Sequence, residues 1–183
     1  MPRRYYEPTT ECGYHAPKAM KDVWDVQLEL AAKFKEVCQR HGLKFWLEGG
    51  SLLGAIRHKG FIPWDDDIDL MMMREDYDRL NKIAEQEFIY PYFWQTTYSE
   101  DHLYVGHAIL RHQETSDFSK DELSGNYCKG IGVDIFVYDN VPTNAIAYAL
   151  HRMAAKLLTK LIRKAMKTST HGLHKKLFKG YEA

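Results

Sequence analysis

The 183-residue chain is 45% hydrophobic and formally neutral, with 25 Lys and Arg against 25 Asp and Glu. That length and apolar content suit one ordinary globular domain with a sizeable core. No apolar run approaches the ~20 residues of a membrane span, and the balanced charge gives no reason to expect a nucleic-acid partner.

Residues 1–16 read as an irregular N-terminal arm. Pro17 suits the first turn of a helix, and Val23, Val26, Leu30, Phe34 and Val37 then recur at spacings of three and four. That period predicts an amphipathic helix stopped at Gly42. A buried strand is expected over 43–47. A short helix follows over 51–57 with Ser51 as its N-cap, then a loop over 59–64 broken by Gly60 and Pro63. The second strand is expected over 67–73. The next helix carries Tyr77, Leu80, Ala84 and Phe88 on one face. Strands are expected over 92–98, 105–111 and 131–138, with a polar exposed loop over 112–130. Pro142 and Thr143 open a long helix striped by Ile146, Leu150, Met153, Leu157, Leu161 and Ala165, ending near Gly172. The order α-β-α-β-α-β-β-β-α predicts an α/β fold: a small mixed sheet with helices packed against it. Residues 17–140 form its body, and 141–183 form a basic helical segment.

Two stretches carry chemistry. Gly49-Gly50-Ser51 forms a turn between an apolar strand and a helix. Backbone N–H groups at such a turn can face a phosphate. Seventeen positions after Gly50 come Asp67, Ile68 and Asp69. Residues i and i+2 of a strand face the same way, so both carboxylates project together while Ile68 points inward. Two such charges repel unless a cation lies between them, and Mg²⁺ (or Mn²⁺) suits hard oxygen ligands. Alternation puts Asp65 on the same face as a further ligand, whereas Asp66 points away and anchors the loop. Arg57, His58 and Lys59 read either as a basic helix end or as neutralising partners of a nucleotide phosphate. His58 reads as a hydrogen-bonder fixing the loop. The other histidines form no ligand set, so zinc is not expected. Asp134 alone reads as an ordinary edge-strand carboxylate. The aromatics Tyr90, Tyr92, Phe93, Trp94 and Tyr98 read first as strand core and second as a cage for a quaternary ammonium.

The segment from Phe45 to Asp69, with Arg74, Asp76, Tyr77 and Gly132-Val133-Asp134-Ile135-Phe136, closely resembles the LicD family, to which fukutin-type proteins are related. The resemblance covers roughly residues 20–140. It implies a nucleotidyltransferase-like fold. It also implies transfer of phosphocholine, or a related polyol or sugar phosphate, from a CDP-type donor to a glycan or lipid-linked glycan, such as a teichoic acid or lipopolysaccharide precursor. Asp134 becomes the third carboxylate beside Asp67 and Asp69, and Gly49, Gly50, Ser51, Arg57, His58 and Lys59 become donor-binding residues. Family members usually run longer and end in a Tyr-Gly-rich segment absent here, so a truncated or short member is expected. Two other readings stay open: a nucleotidyltransferase acting on protein, RNA or a small molecule, and a non-catalytic metal- and phosphate-binding module.

Charge is unevenly spread. Residues 1–140 hold 16 Lys and Arg against 24 Asp and Glu; from Val141 onward there are 9 against Glu182 alone. The basic helix is expected to pack on the sheet with a solvated cationic back; the sharper reading is peripheral contact with an anionic membrane. Scattered Cys12, Cys38 and Cys128 read as reduced thiols. The start at Met1 lacks a signal peptide's apolar core, so a cytoplasmic protein is expected, with the inner membrane face as its possible station.

Overall fold

A computed structural model describes residues 13–100, 105–117 and 127–167. Its elements follow the expected order: α1 (Lys18–His41), β1 (Trp46–Leu47), α2 (Gly49–Arg57), β2 (Asp69–Met73), α3 (Arg74–Glu87), β3 (Tyr92–Gln95), β4 (Ala108–His112), β5 (Gly132–Tyr138) and α4 (Ala145–Lys167). The first twelve residues of the expected arm, the middle of the loop expected over 112–130, and the expected helix end near Gly172 lie outside the described residues.

The five strands form one mixed sheet in the order β1-β2-β5-β4-β3. β2 and β5 are parallel, and every other pairing is antiparallel. Alternation divides the sheet's two faces. Leu70 and Met72 of β2, Val133 and Ile135 of β5, and Ala108 and Leu110 of β4 are buried in one cluster with Leu30, Phe34 and Val37 of α1 and Tyr77, Leu80 and Ala84 of α3. Asp69 and Asp134 occupy the alternate positions, so they project from the face opposite this core.

Several boundaries differ from the sequence reading for local reasons. β1 is shorter than expected because Leu43 is drawn into the end of α1. Its N–H donates to the Cys38 carbonyl while Gly42 donates to Gln39, a Schellman closure. In α1 the buried line near the N-terminus runs through Trp24 and Gln27, with Val23 and Val26 only half-buried. β3 stops at Gln95 because Thr96 and Ser99 close a turn, with the Thr96 N–H donating to the Ser99 Oγ. β2 starts at Asp69, leaving Asp67 before the strand.

The largest difference concerns α4. Asn144 caps it, accepting from the Ile146 and Ala147 N–H groups. Its expected apolar stripe is not packed on the sheet: Ile146, Leu150, Met153, Leu157 and Leu161 are all exposed. The reading of a helix laid on the sheet by that stripe is therefore corrected.

Candidate active site

The site is built where β1, α2 and β2 meet. The Glu48 N–H donates to the Asp69 carbonyl, and the Asp69 N–H donates to Ser51 Oγ at 2.8 Å. Ser51 is thus not the N-cap. Glu48 holds that position without a side-chain cap bond, and Ser51 sits inside the first turn, tying α2 to β2. Gly49 adopts φ +51°, a left-handed conformation that favours glycine. A Cβ on Gly49 would lie 3.5 Å from Asp69 Oδ2, and one on Gly50 only 2.6 Å from Asp65 Oδ2. The turn therefore lies directly against two carboxylates. The N–H groups of a helix's first turn have no intrahelical acceptor, so Gly50 and Ser51 present donors beside this acidic surface.

The loop before β2 brings more acid. Asp65, Asp66 and Asp67 each offer a carboxylate oxygen, and these oxygens lie within 4.8 Å of one another. This corrects the sequence reading of Asp66 as pointing away. The residue before the strand is free of strand alternation, and the Asp66 side chain joins its neighbours while its carbonyl anchors the loop. α1 holds that loop in place. Trp24 Nε1 donates to the Asp65 carbonyl at 2.7 Å, and Gln27 Nε2 donates to the Asp66 carbonyl at 2.7 Å. The Trp24 ring also stacks on Phe61, with centroids 4.7 Å apart. Trp24→Phe keeps the stack but removes the donor. The variant is expected to lose about 1 kcal/mol in denaturant unfolding, with α1 otherwise intact.

Asp69 and Asp134 are cross-strand partners in the parallel β2–β5 register, and the Asp134 N–H donates to the Ile68 carbonyl. Asp134 thus lies on the same sheet face as Asp69, beside it. His107, just before β4, places Nε2 3.4 Å from Asp134 Oδ1, and its ring tilts over Phe136. Glu48 also faces this group: its Oε1 accepts from the Tyr138 hydroxyl at 2.6 Å.

Such crowding has an electrostatic signature. Asp67, though exposed at its outer edge, is pushed up to about 6, first by desolvation and then by Asp69, Asp65, Asp66 and Asp134. Asp69 is also raised, by burial and then by Asp134, Glu48 and Asp65, with His107 partly offsetting them. Oxygen-only, like-charged and crowded, this donor set can hold a hard divalent cation, whose charge would remove the repulsion.

Other expected site residues are placed elsewhere. Arg57, His58 and Lys59 lie at the far end of α2, roughly 10 Å along the helix from Gly50. Lys59 Nζ donates to the Ile56 carbonyl rather than reaching toward the acids. His58 was expected to fix the loop through a hydrogen bond, but its buried Nε2 has no partner among the described residues. The aromatic cage is corrected as well. Tyr92 and Trp94 lie on β3, at the opposite edge of the sheet from β1. Trp94 is buried, donating to Asn81 and stacking on Phe88, and the Tyr92 hydroxyl donates to Glu29. Trp64 belongs to the acidic loop itself, where it is exposed and edge-on to Tyr14. Sequence reasoning missed Glu48, His107, Trp24 and Gln27 as parts of the site. Of these, only Glu48 carried a sequence signal, through its place beside Gly49.

The LicD/FKTN/FKRP nucleotidyltransferase domain matches residues 42–156, more than half of the chain. The lipopolysaccharide cholinephosphotransferase LicD of Haemophilus influenzae is 41% identical over 123 residues, which are 64% of this chain and 43% of that protein. The human ribitol 5-phosphate transferase FKRP is 47% identical over 51 residues, 28% of this chain and 10% of that protein. An uncharacterized protein of Rickettsia prowazekii is 47% identical over 51 residues, 28% of this chain and 19% of that protein. The chain thus spans less than half the length of these relatives. Its turn, its acidic loop and both strand carboxylates all fall inside the matched segment, and the chain belongs to the LicD/FKTN/FKRP family, with residues 42–156 corresponding to its nucleotidyltransferase domain.

Proposed function

We propose that this protein transfers phosphocholine, or a related polyol or sugar phosphate, from a CDP-activated donor to a hydroxyl of a glycan or lipid-linked glycan. The observation that carries the reading is the contact of the Gly49–Ser51 turn with the Asp65 and Asp69 carboxylates. The two halves of this arrangement need each other: first-turn N–H groups attract a phosphate, while the acids repel it unless a cation intervenes. Asp65, Asp67, Asp69 and Asp134 would hold Mg²⁺, which when bound would neutralise the donor phosphates and the charge developing in transfer.

The chain's own residues then have defined tasks. The Gly50 and Ser51 N–H groups receive donor phosphate oxygens. Asp134 accepts a hydrogen bond from the acceptor hydroxyl and aligns its oxygen for in-line attack. A new P–O bond forms to that oxygen as its proton passes to the Asp134 carboxylate, the bond to the bridging oxygen breaks, and CMP leaves with the electron pair. The names of the relatives support choline phosphate and ribitol phosphate as cargo. A station at the inner face of a membrane would bring lipid-linked acceptors within reach.

Thermal-shift measurements with CDP-choline, CDP-ribitol, CDP-glycerol, CTP and ATP, each with and without Mg²⁺, test the reading. A ligand at a hundredfold its Kd stabilises by about 2.7 kcal/mol, roughly 5–10 °C for a domain of this size. A Mg²⁺-dependent rise with at least one CDP-alcohol, larger than with CTP or ATP, is expected. A rise with ATP alone would favour a nucleotidyltransferase of another kind.

A further inference from the structure

The helix α4 turns its apolar stripe outward. A helix lying against a protein turns its apolar side inward, yet Ile146 is 74% exposed, Leu150 59%, Met153 65% and Leu157 59%. The more covered side is the opposite one, where Ile162 is buried and Ala155, Leu158 and Thr159 are half-buried. At 100° per residue, Leu150, Met153 and Leu157 fall on one line and Ile162 roughly across the helix from it. The cations are placed as pointedly. Arg152, Lys156 and Lys160 stand four residues apart, forming a row along one flank of the stripe, and all are exposed. Arg163 extends the row, and a cleft beside it is lined by Arg152, Lys156, Thr159, Lys160 and Arg163. No Asp or Glu occurs between Val141 and Lys167.

We propose that α4 is an interfacial helix that docks the protein on an anionic phospholipid surface. Leu150, Met153 and Leu157 would enter the acyl boundary, and the Arg152–Lys156–Lys160 row would meet the phosphate head groups. The two features belong together in that setting: a cationic flank beside an outward apolar stripe is what a helix lying in the membrane plane presents. A second copy of the chain is a poorer occupant, because antiparallel pairing of two stripes sets cationic rows near one another with no carboxylate on either helix. No described helix is long and apolar enough to cross a membrane, so contact would be peripheral. The proposal deepens the reading of a transferase acting near lipid-linked acceptors, but rests on α4 alone.

The test is co-sedimentation of the whole chain with phosphatidylglycerol or phosphatidylcholine vesicles at low and high salt. Two double variants accompany it, Leu150→Gln with Leu157→Gln and Lys156→Glu with Lys160→Glu. All four positions are exposed, so the sheet core should melt as in the parent. Sedimentation with phosphatidylglycerol is expected at low salt, falling at least about tenfold at high salt, with phosphatidylcholine, and in each double variant. Absence of sedimentation at low salt overturns the proposal, as does equal sedimentation of parent and both variants. A dimer in sedimentation equilibrium that the Leu variant dissociates, without vesicle binding, assigns the stripe to a second copy instead. Thermal shift with CDP-choline and Mg²⁺ on the same samples separates the two ideas: an intact shift without vesicle binding removes the docking helix and leaves the transferase reading standing.

Discussion

Asp69→Asn is expected to lower transfer by on the order of a hundredfold or more while leaving the sheet folded, and Asp67→Asn to do the same. The figure follows from the loss of one preorganised electrostatic contact in a phosphoryl-transfer site. The same substitutions should make the metal-free protein more stable at neutral pH, which a merely structural carboxylate would not do. The sign follows from the crowding. The folded state holds the Asp67 proton up to about pH 6, whereas an unfolded Asp releases it near 4. The folded form binds more protons across that window, so stability present below about pH 4 is lost as pH rises through about 6. In chelator, the parent should melt at progressively lower temperature across that window, and Asp67→Asn should flatten the slope. Adding Mg²⁺ should restore the parent more than the variant. Near-normal turnover in either Asn variant, or parallel melting curves, would exclude these carboxylates as the functional pair.

The second large effect is expected at Gly54, one helical turn beyond Gly50. Exchanging Gly for Ala inside a helix normally gains about 1 kcal/mol. Here a Cβ would lie 2.6 Å from the Gly60 carbonyl oxygen and 3.0 Å from the Ile62 N. Both are backbone atoms that cannot rotate away. Gly54→Ala should therefore lose roughly 1–3 kcal/mol in denaturant unfolding. Displacing the loop moves Asp65, Asp66 and Asp67 against Gly50, and misplacement by about 1 Å can cost a hundredfold in rate. A variant as stable and as active as the parent would show that the loop does not depend on this contact.

Sequence and structure agree where the cause of a feature is local, and part where it is not. Element order was legible because helical and strand periods depend on neighbours a few residues apart. Tyr77, Leu80 and Ala84 behave as their spacing requires, and the Gly-Gly-Ser turn lies where it was expected because its cause is local. Pairing between distant strands is not written in any period. The approach of His107 to Asp134 depends on β4 lying beside β5, and the capture of the Asp65 and Asp66 carbonyls by Trp24 and Gln27 spans about forty residues. Aromatic density on β3 suggested a cage only because the sheet order, which sends β3 to the far edge, was invisible. The exposed stripe of α4 escaped for another reason: periodicity shows that a helix has an apolar side, not what meets it.

The parallel pairing of β2 with β5 works as a caliper. Asp69 and Asp134 are the two ends of one rung, on neighbouring strands, so their separation is set by the strand spacing of about 4.8 Å that every sheet shares. Residues 70–133 can lengthen, shorten or drift without changing that gap, provided the ladder closes in the same register. A register slip of one residue would turn one carboxylate to the core face and dismantle the pair outright. Selection on the intervening chain is thereby decoupled from the geometry of the acids: α3, β3 and the loop before β5 are free to diverge and reshape what approaches the site, while the jaw itself keeps its width.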